Sequence, residues 1–143
     1  MGDSLLGAFF KPKNGSSIVL VSTGGTIPNL YTLDTKTAST KNLNIQTLSD
    51  KCVWSKSAIV YCAVPNTIEN GHYPDDWYKG MVSTEDSIKK IDTEKQIYYN
   101  VSNLSKESGE KIDVDSIYLS PDETHLIFRN KTDGFLWMLR IEK

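Results

Sequence analysis

The sequence predicts an all-β fold of short antiparallel strands, and three observations lead to that prediction. Short runs rich in β-branched and aromatic residues recur between turn residues along most of the 143-residue chain. No stretch carries the apolar spacing and caps of a long helix. The clearest segment is Asp113 to Ile141, with strands expected at Ser116–Ser120, His125–Arg129 and Phe135–Ile141. Turns containing Pro121-Asp122 and Asp133-Gly134 separate these strands, so the segment is expected to form an antiparallel meander.

Similar runs precede this meander in the chain. In order, strands are expected at Ile18–Thr23, Asn29–Leu33, Leu43–Thr47, Lys51–Ser55, Ala58–Val64, Ser87–Asp92 and Gln96–Val101. A polar and aromatic insertion, Pro65–Thr84, interrupts the series, and Asn103–Gly109 is interpreted as a polar connector. Several strands are apolar on both faces, which requires sheets stacked on each side of them.

The runs also repeat one another. Cys52-Val53-Trp54-Ser55 matches Ile117-Tyr118-Leu119-Ser120, and a turn and an apolar strand follow each of them. Leu30–Asp34 matches Ile88–Asp92, and each ends in an Asp-Thr turn. Without the insertion the spacing is about 40–45 residues, which is the length of a four-stranded propeller blade.

Leu119-Ser120-Pro121-Asp122, followed by Leu126-Ile127-Phe128, resembles the core motif of the TolB-like, WD-repeat-like β-propeller family. Trp54-Ser55 with Ile59-Val60-Tyr61 is similar to a degenerate copy that lacks Pro-Asp. The resemblance implies a non-catalytic scaffold that binds proteins or ligands on its loop faces. It also implies a bacterial protein of the periplasm or the cell surface, although the residues themselves give no compartment.

The predicted fold class is therefore all-β, with four-stranded antiparallel meander blades of a β-propeller and an incomplete ring in one chain. The blades are expected at about 6–48, 49–104 and 111–141, within a single domain. Natural propellers close with roughly four to eight blades, so further blades are required. A homo-oligomer in which two-fold pairing completes the ring would supply them, as would neighbouring blades of a longer parent chain. In the first case, Leu5–Phe10 is expected to provide the strand missing after Ile141.

Composition limits the classes of partner. The net charge is −2, without a basic run, which argues against nucleic acid. No apolar run is long enough for a membrane span, and no residue pattern calls for a cofactor or a metal. The expected partners are the chain itself and an unidentified protein or carbohydrate.

Cys52 and Cys62 lie on adjacent predicted strands. With a three-residue turn at Lys56-Ser57-Ala58 they face each other, and with a two-residue turn they point to opposite faces. Two buried thiols and a disulfide therefore both stay open.

The insertion carries the candidate binding residues, because loops on a rigid scaffold often carry function. These aromatic and polar residues suit contacts with a protein or a carbohydrate: His72, Tyr73, Asp75, Asp76, Trp77 and Tyr78. In the alternative interpretation, the aromatic residues pin the loop onto its own blade. Asp113 and Asp115 are expected to cap the entry to the last blade.

Two rival functions remain. A small β-sandwich with a structural or adhesive role would bury the same strands. Separately, Thr23-Gly24-Gly25-Thr26-Ile27 resembles the opening motif of bacterial-type asparaginases, in which Thr26 would be the nucleophile. The second asparaginase motif and an alternating strand–helix pattern are missing from the sequence, so we expect no enzyme.

Overall fold

The computed structural model describes residues 9–10 and 17–141, and it confirms an all-β fold of antiparallel sheets. In the described residues, eleven strands form three sheets. The first sheet contains the strands β1 (Phe9–Phe10), β2 (Ile18–Ser22), β3 (Leu30–Asp34) and β4 (Thr40–Asn42). The second contains β5 (Cys52–Trp54), β6 (Ile59–Pro65), β7 (Asp86–Asp92) and β8 (Ile97–Asn103). The third contains β9 (Val114–Leu119), β10 (His125–Asn130) and β11 (Leu136–Arg140).

Helical structure is limited to single turns. Ser49–Lys51 forms a 3-10 turn before β5, and α1 (Asp75–Tyr78) lies in the insertion. The predicted connector at Asn103–Gly109 instead contains α2 (Leu104–Ser108). The Asn103 side chain accepts a hydrogen bond from the amide of Lys106, and Gly109 ends the helix with a φ of 76°. These cap residues explain why so polar a segment is helical.

The three sheets are stacked in chain order. One face of the second sheet contributes Trp54, Val60 and Ile91 to a core that it shares with Leu20 and Leu30 of the first sheet. Its opposite face contributes a second set of side chains to the core that it shares with the third sheet, where the buried members include Tyr61, Ala63, Ile88, Leu126 and Phe128. The second sheet is therefore buried on both faces, which explains why β6 is apolar at nearly every position.

One strand prediction is wrong. The segment expected as a strand at Leu43–Thr47 is irregular, and β4 lies before it. Leu43 and Ile45 are buried and exchange backbone hydrogen bonds with Leu30, whereas Asn44 between them adopts a φ of 57°. The apolar alternation thus comes from a loop anchored in the core and not from an extended strand.

The expected role of Leu5–Phe10 also needs correction. Phe9 and Phe10 pair with Val19 and Ile18 of β2, inside the first sheet, and not with a strand after Ile141. Residues 5–8 lie outside the described residues. An N-terminal strand placed beside β2 already has its hydrogen-bonding partner in its own sheet.

The two cysteines form a disulfide. Ser55 and Ile59 close a loop with three residues between them, and this register places Cys52 directly opposite Cys62. Their Cα atoms are 4.1 Å apart, and their sulfur atoms are bonded. Of the two alternatives that the sequence left open, the structure has the disulfide, and it lies in the core between the first and second sheets.

Candidate functional site

The insertion is folded onto the body of the protein through two of its aromatic residues. Tyr73 and Trp77 are buried and pack with Leu48 and Val82. The hydroxyl of Tyr73 donates to the carbonyl oxygen of Glu69. Both aromatic side chains therefore point inward, which supports the interpretation that they pin the loop.

The other candidate residues of the insertion lie at its surface. His72, Asp75 and Tyr78 are exposed, and Asp76 is half-buried. Asp76 accepts a hydrogen bond from the backbone amide of His72, and the hydroxyl of Tyr78 donates to Asp50. The structure thus separates the six predicted residues into a buried pair and an exposed group, and partner binding by the exposed group stays a prediction.

The most concentrated polar chemistry is a buried cluster that the sequence did not reveal, the Lys51 cluster, formed by Lys51, Thr84, Asp86 and Asp113. All four residues are buried, and Lys51 has no exposed surface. The Nζ atom of Lys51 lies 2.7 Å from Asp86 Oδ2 and 2.8 Å from Asp113 Oδ1. It also donates to Thr84 Oγ1 and to the carbonyl oxygen of Val114. The ammonium group is therefore fully surrounded by acceptors.

Trp77 joins the insertion to this cluster. Its indole N–H lies 3.0 Å and 3.1 Å from the two carboxylate oxygens of Asp113. Its ring centroid lies 4.8 Å from Lys51 Nζ and 5.2 Å from Lys131 Nζ. Cations over an indole ring are stabilised by its π electrons. The second sheet, the third sheet and the insertion therefore meet at one charged centre.

The two carboxyl groups of the cluster differ in proton affinity. Burial raises the pKa of Asp86, and this outweighs the charge of Lys51 and the hydrogen bonds that favour the ionised form. Burial also raises the pKa of Asp113. At this residue, however, the charge of Lys51 and the hydrogen bonds from Lys51, Trp77 and Thr84 together outweigh burial, so the pKa of Asp113 is lowered. Within the described residues, Asp86 Oδ1 has no hydrogen-bond partner. The pKa values of the two carboxyl groups that share the Lys51 ammonium are therefore shifted in opposite directions.

Asp113 was expected to cap a blade entry, and it is instead the main acceptor of this cluster. One signal of this cluster is present in the sequence, because Lys51 precedes a strand whose residues are otherwise apolar. The distance between the partners in the sequence hid the rest, since Asp113 follows Lys51 by 62 residues. Asp115 instead forms a paired contact with the guanidinium of Arg129 at the surface.

The loop that resembles the asparaginase motif is bound to the insertion. Gly25 and Tyr73 exchange two backbone hydrogen bonds of 2.7 and 2.9 Å. A side chain at Gly24 would bring its Cβ to 3.1 Å from the carbonyl oxygen of Tyr73, so this close approach favours glycine. Thr26 is exposed on the bend that follows. The two glycines thus have a packing role here that is independent of any chemistry at Thr26.

The outer face of the third sheet carries exposed apolar side chains, flanked on the same face by the charged side chains of Arg129 and Arg140. Tyr118, Ile127 and Met138 lie side by side across β9, β10 and β11, and Leu136 lies on the same face of β11. Leu136 is 74% exposed, Met138 65% and Tyr118 62%. These four residues are called the third-sheet outer face below. The opposite face of the same strands, which carries Leu126 and Phe128, is buried against the second sheet.

No protein-family model, curated protein or solved structure matches the chain. Among the residues that the structure describes, no helix is long and apolar enough to cross a membrane.

Proposed function

We propose that the chain is a non-catalytic interaction module built from β-propeller blades, and that its stack of sheets continues beyond the third-sheet outer face. The observation that carries this proposal is the exposed apolar surface of Tyr118, Leu136 and Met138. Monomeric proteins rarely expose large contiguous apolar patches, and such patches mark contact surfaces. A further sheet on this face would bury it as the second sheet buries the inner face.

The packing between the sheets supports a stack to which further sheets can be added. Each pair of neighbouring sheets shares a core, and the second sheet is covered on both sides. The third sheet is covered on only one side by the described residues. A second copy of the chain is the partner that we favour, since two copies would provide about six blades, within the range of closed rings.

The edge of the third sheet gives independent support. Within the described residues, β11 has no strand beside its outer edge, whereas β4 and β8 occupy the equivalent positions in the other two sheets. The indole Nε1 of Trp137, on β11, is buried, and none of the described residues accepts a hydrogen bond from it. A strand from a partner that pairs with β11 would complete the sheet and bring carbonyl oxygens close to this donor.

The disulfide bears on the setting in which the module acts. Disulfides persist in oxidising compartments such as the periplasm and the cell surface. The bond between Cys52 and Cys62 therefore supports the extracytoplasmic location that the family resemblance implies.

Self-association can be measured by sedimentation velocity on the purified chain at micromolar concentrations. We expect the wild-type chain to sediment as a dimer or a larger closed assembly, and Met138→Lys to sediment as a folded monomer. Ile97→Lys is the matched control, because Ile97 is an exposed apolar strand residue on β8, away from this face.

A monomeric wild-type chain would contradict self-association. Binding of the dye 1-anilinonaphthalene-8-sulfonate then tests the face itself, since this dye reports exposed apolar surface. If the monomer bound no dye, or if Met138→Lys left dye binding unchanged, the third-sheet outer face would not be a contact surface.

A further inference from the structure

A polar groove lies where the outer strands of the first and second sheets diverge, and no function discussed above uses it. It consists of two adjoining cavities of about 370 and 490 Å³ that share Lys89. The residues that line the smaller cavity include Asn29, Asn42, Asn44 and Gln46. Those that line the larger one include Asn66, Asn100 and Asn103. Amide-bearing residues thus line both of the cavities that share Lys89.

Lys89 is the unusual residue of this groove. It is half-buried in the middle of β7, between Cys62 of β6 and Asn100 of β8. Among the described residues, no hydrogen-bond or ion-pair partner is found for its ammonium group. By contrast, Lys41 donates to the carbonyl oxygen of Thr93, Lys51 is enclosed in its cluster, and the ammonium of Lys90 lies over the ring of Tyr99. A half-buried cation without a partner is suited to an anionic ligand.

The charge around Lys89 favours an anion. Lys89 is the only charged residue lining the smaller cavity, again counting described residues. The larger cavity adds Lys106 and Glu107, and Glu107 accepts a hydrogen bond from Ser102. The groove therefore carries a net positive charge, although the whole chain has a net charge of −2.

The remaining lining favours a ligand with many hydroxyl groups. An amide side chain both donates and accepts hydrogen bonds, as a sugar hydroxyl does. The side-chain oxygens of Asn42, Asn66 and Asn103 already accept hydrogen bonds within the chain. The amino groups of these residues and the side chains of Asn44, Gln46 and Asn100 are left for a ligand. Tyr98 lies on the same face of β8 as Asn100, and its hydroxyl donates to the carbonyl oxygen of Leu43, which holds the segment before Asn44 against the second sheet.

We propose that this groove binds an anionic sugar, whose hydroxyls contact the amides and whose carboxylate or phosphate contacts Lys89. The groove is contained within one chain, so the proposal does not depend on self-association through the third-sheet outer face. A monomeric Met138→Lys variant is expected to bind the sugar as the wild-type chain does, so that the two proposals can fail separately.

The test is isothermal titration calorimetry with three probes: trigalacturonate, glucose 6-phosphate and the neutral maltotriose. We expect at least one anionic probe to bind, and maltotriose to bind at least about tenfold more weakly, since a hydrogen bond to a charged group contributes at least that factor. The anionic probe that binds more tightly distinguishes a carboxylate ligand from a phosphate ligand. Affinity should fall as salt is added, because the attraction is between charges.

Lys89→Gln and Lys90→Gln form a matched pair for this experiment. Lys90 is the next residue on β7, so its side chain points to the opposite face, where its ammonium lies over the ring of Tyr99. Both variants lose one positive charge. We expect Lys89→Gln to weaken binding of the anionic probe about tenfold or more, and Lys90→Gln to change it less than about twofold.

Three results would overturn the proposal. The wild-type chain could fail to bind either anionic probe at millimolar concentrations. Maltotriose could bind as tightly as the anionic probes. The two glutamine variants, both folded by circular dichroism, could lose affinity equally, which would indicate an effect of net charge and not a site at Lys89.

Discussion

Replacing Lys51 with methionine removes the centre of the Lys51 cluster while nearly keeping the length and flexibility of the side chain. The ammonium makes hydrogen bonds to Thr84, Asp86, Asp113 and Val114 at 2.7 to 2.9 Å. Its loss leaves two buried carboxyl groups with no cation between them. Removing one partner of a buried ion pair costs about 3–5 kcal/mol, because the other charge stays buried without compensation.

This cost is large relative to the stability of the whole protein. Single domains unfold with about 5–15 kcal/mol, so Lys51→Met is expected to remove a substantial part of the total. The melting temperature should fall by roughly 10 °C or more. Urea unfolding followed by tryptophan fluorescence gives the free energy of unfolding directly. Lys95→Met, at an exposed lysine, is the matched control and should stay within about 0.5 kcal/mol of the wild-type value.

A double-mutant cycle separates the charge from the packing of the side chain. In the double variant Lys51→Met, Asp113→Asn, an amide replaces the carboxylate that Lys51 neutralised. The double variant should therefore lose less free energy of unfolding than the sum of the losses in the two single variants. We expect a coupling energy above about 1 kcal/mol. A Lys51→Met variant within about 1 kcal/mol of the wild-type stability, or additive costs in the cycle, would refute the role assigned to this centre.

Two further predictions concern the carboxyl groups and the disulfide. The lowered pKa of Asp113 stabilises the fold above the unfolded pKa, and this contribution is lost as pH falls through the folded value. The raised pKa of Asp86 acts oppositely, and its contribution is lost as pH rises through its folded value. Urea unfolding between pH 3 and 8 gives the free energy of unfolding of each variant. At pH 7, Asp113→Asn should lower it more than Asp86→Asn does, and Asp113→Asn should also reduce the loss of stability that the wild-type chain shows at acid pH. Equal losses in the two variants at pH 7 would contradict this assignment. Reducing the Cys52–Cys62 bond, which spans 10 residues, should lower the free energy of unfolding by roughly 2–3 kcal/mol. The Cys52→Ala, Cys62→Ala double variant should not respond to reductant, and an unchanged urea midpoint for the reduced wild-type chain would argue against the entropic estimate.

Much of the strand pattern could be predicted because it depends on local chemistry. The β-branched and aromatic runs at Ile59–Pro65 and His125–Asn130 form strands as expected, and the turn at Pro121 and Asp122 closes as its residue types indicate. At that turn, Asp122 accepts hydrogen bonds from the hydroxyls of Thr124 and Ser120, which lower its pKa to about 2. The loop length between the cysteines similarly limits which register they can adopt.

The failures of sequence reasoning come from interactions between distant parts of the chain. Leu43 and Ile45 alternate with polar residues as in a strand, yet they are anchors of a loop that inserts into the core between two sheets. In the Lys51 cluster, the partners of Lys51 follow it by 33 to 62 positions, and no local pattern encodes such a contact. In the loop of His72–Tyr78 the aromatic residues are evident from the sequence, but which of them point inward depends on packing against residues that are distant in the chain, such as Leu48.

Two consecutive residues at the start of β5 contact opposite sides of the second sheet. Cys52 packs in the core shared with the first sheet, and Lys51, just before β5, forms an ion pair with Asp113, which directly precedes the third sheet. In ordinary repeat proteins each unit contacts only its neighbours, so an end unit can fray or be deleted while the rest survives. Here two consecutive residues contact the layers on both sides of the middle one. Deleting either the first or the third sheet would therefore disturb the same short segment. We expect the deletion of one sheet to destabilise the remaining two more than the loss of an end unit does in a simple repeat array.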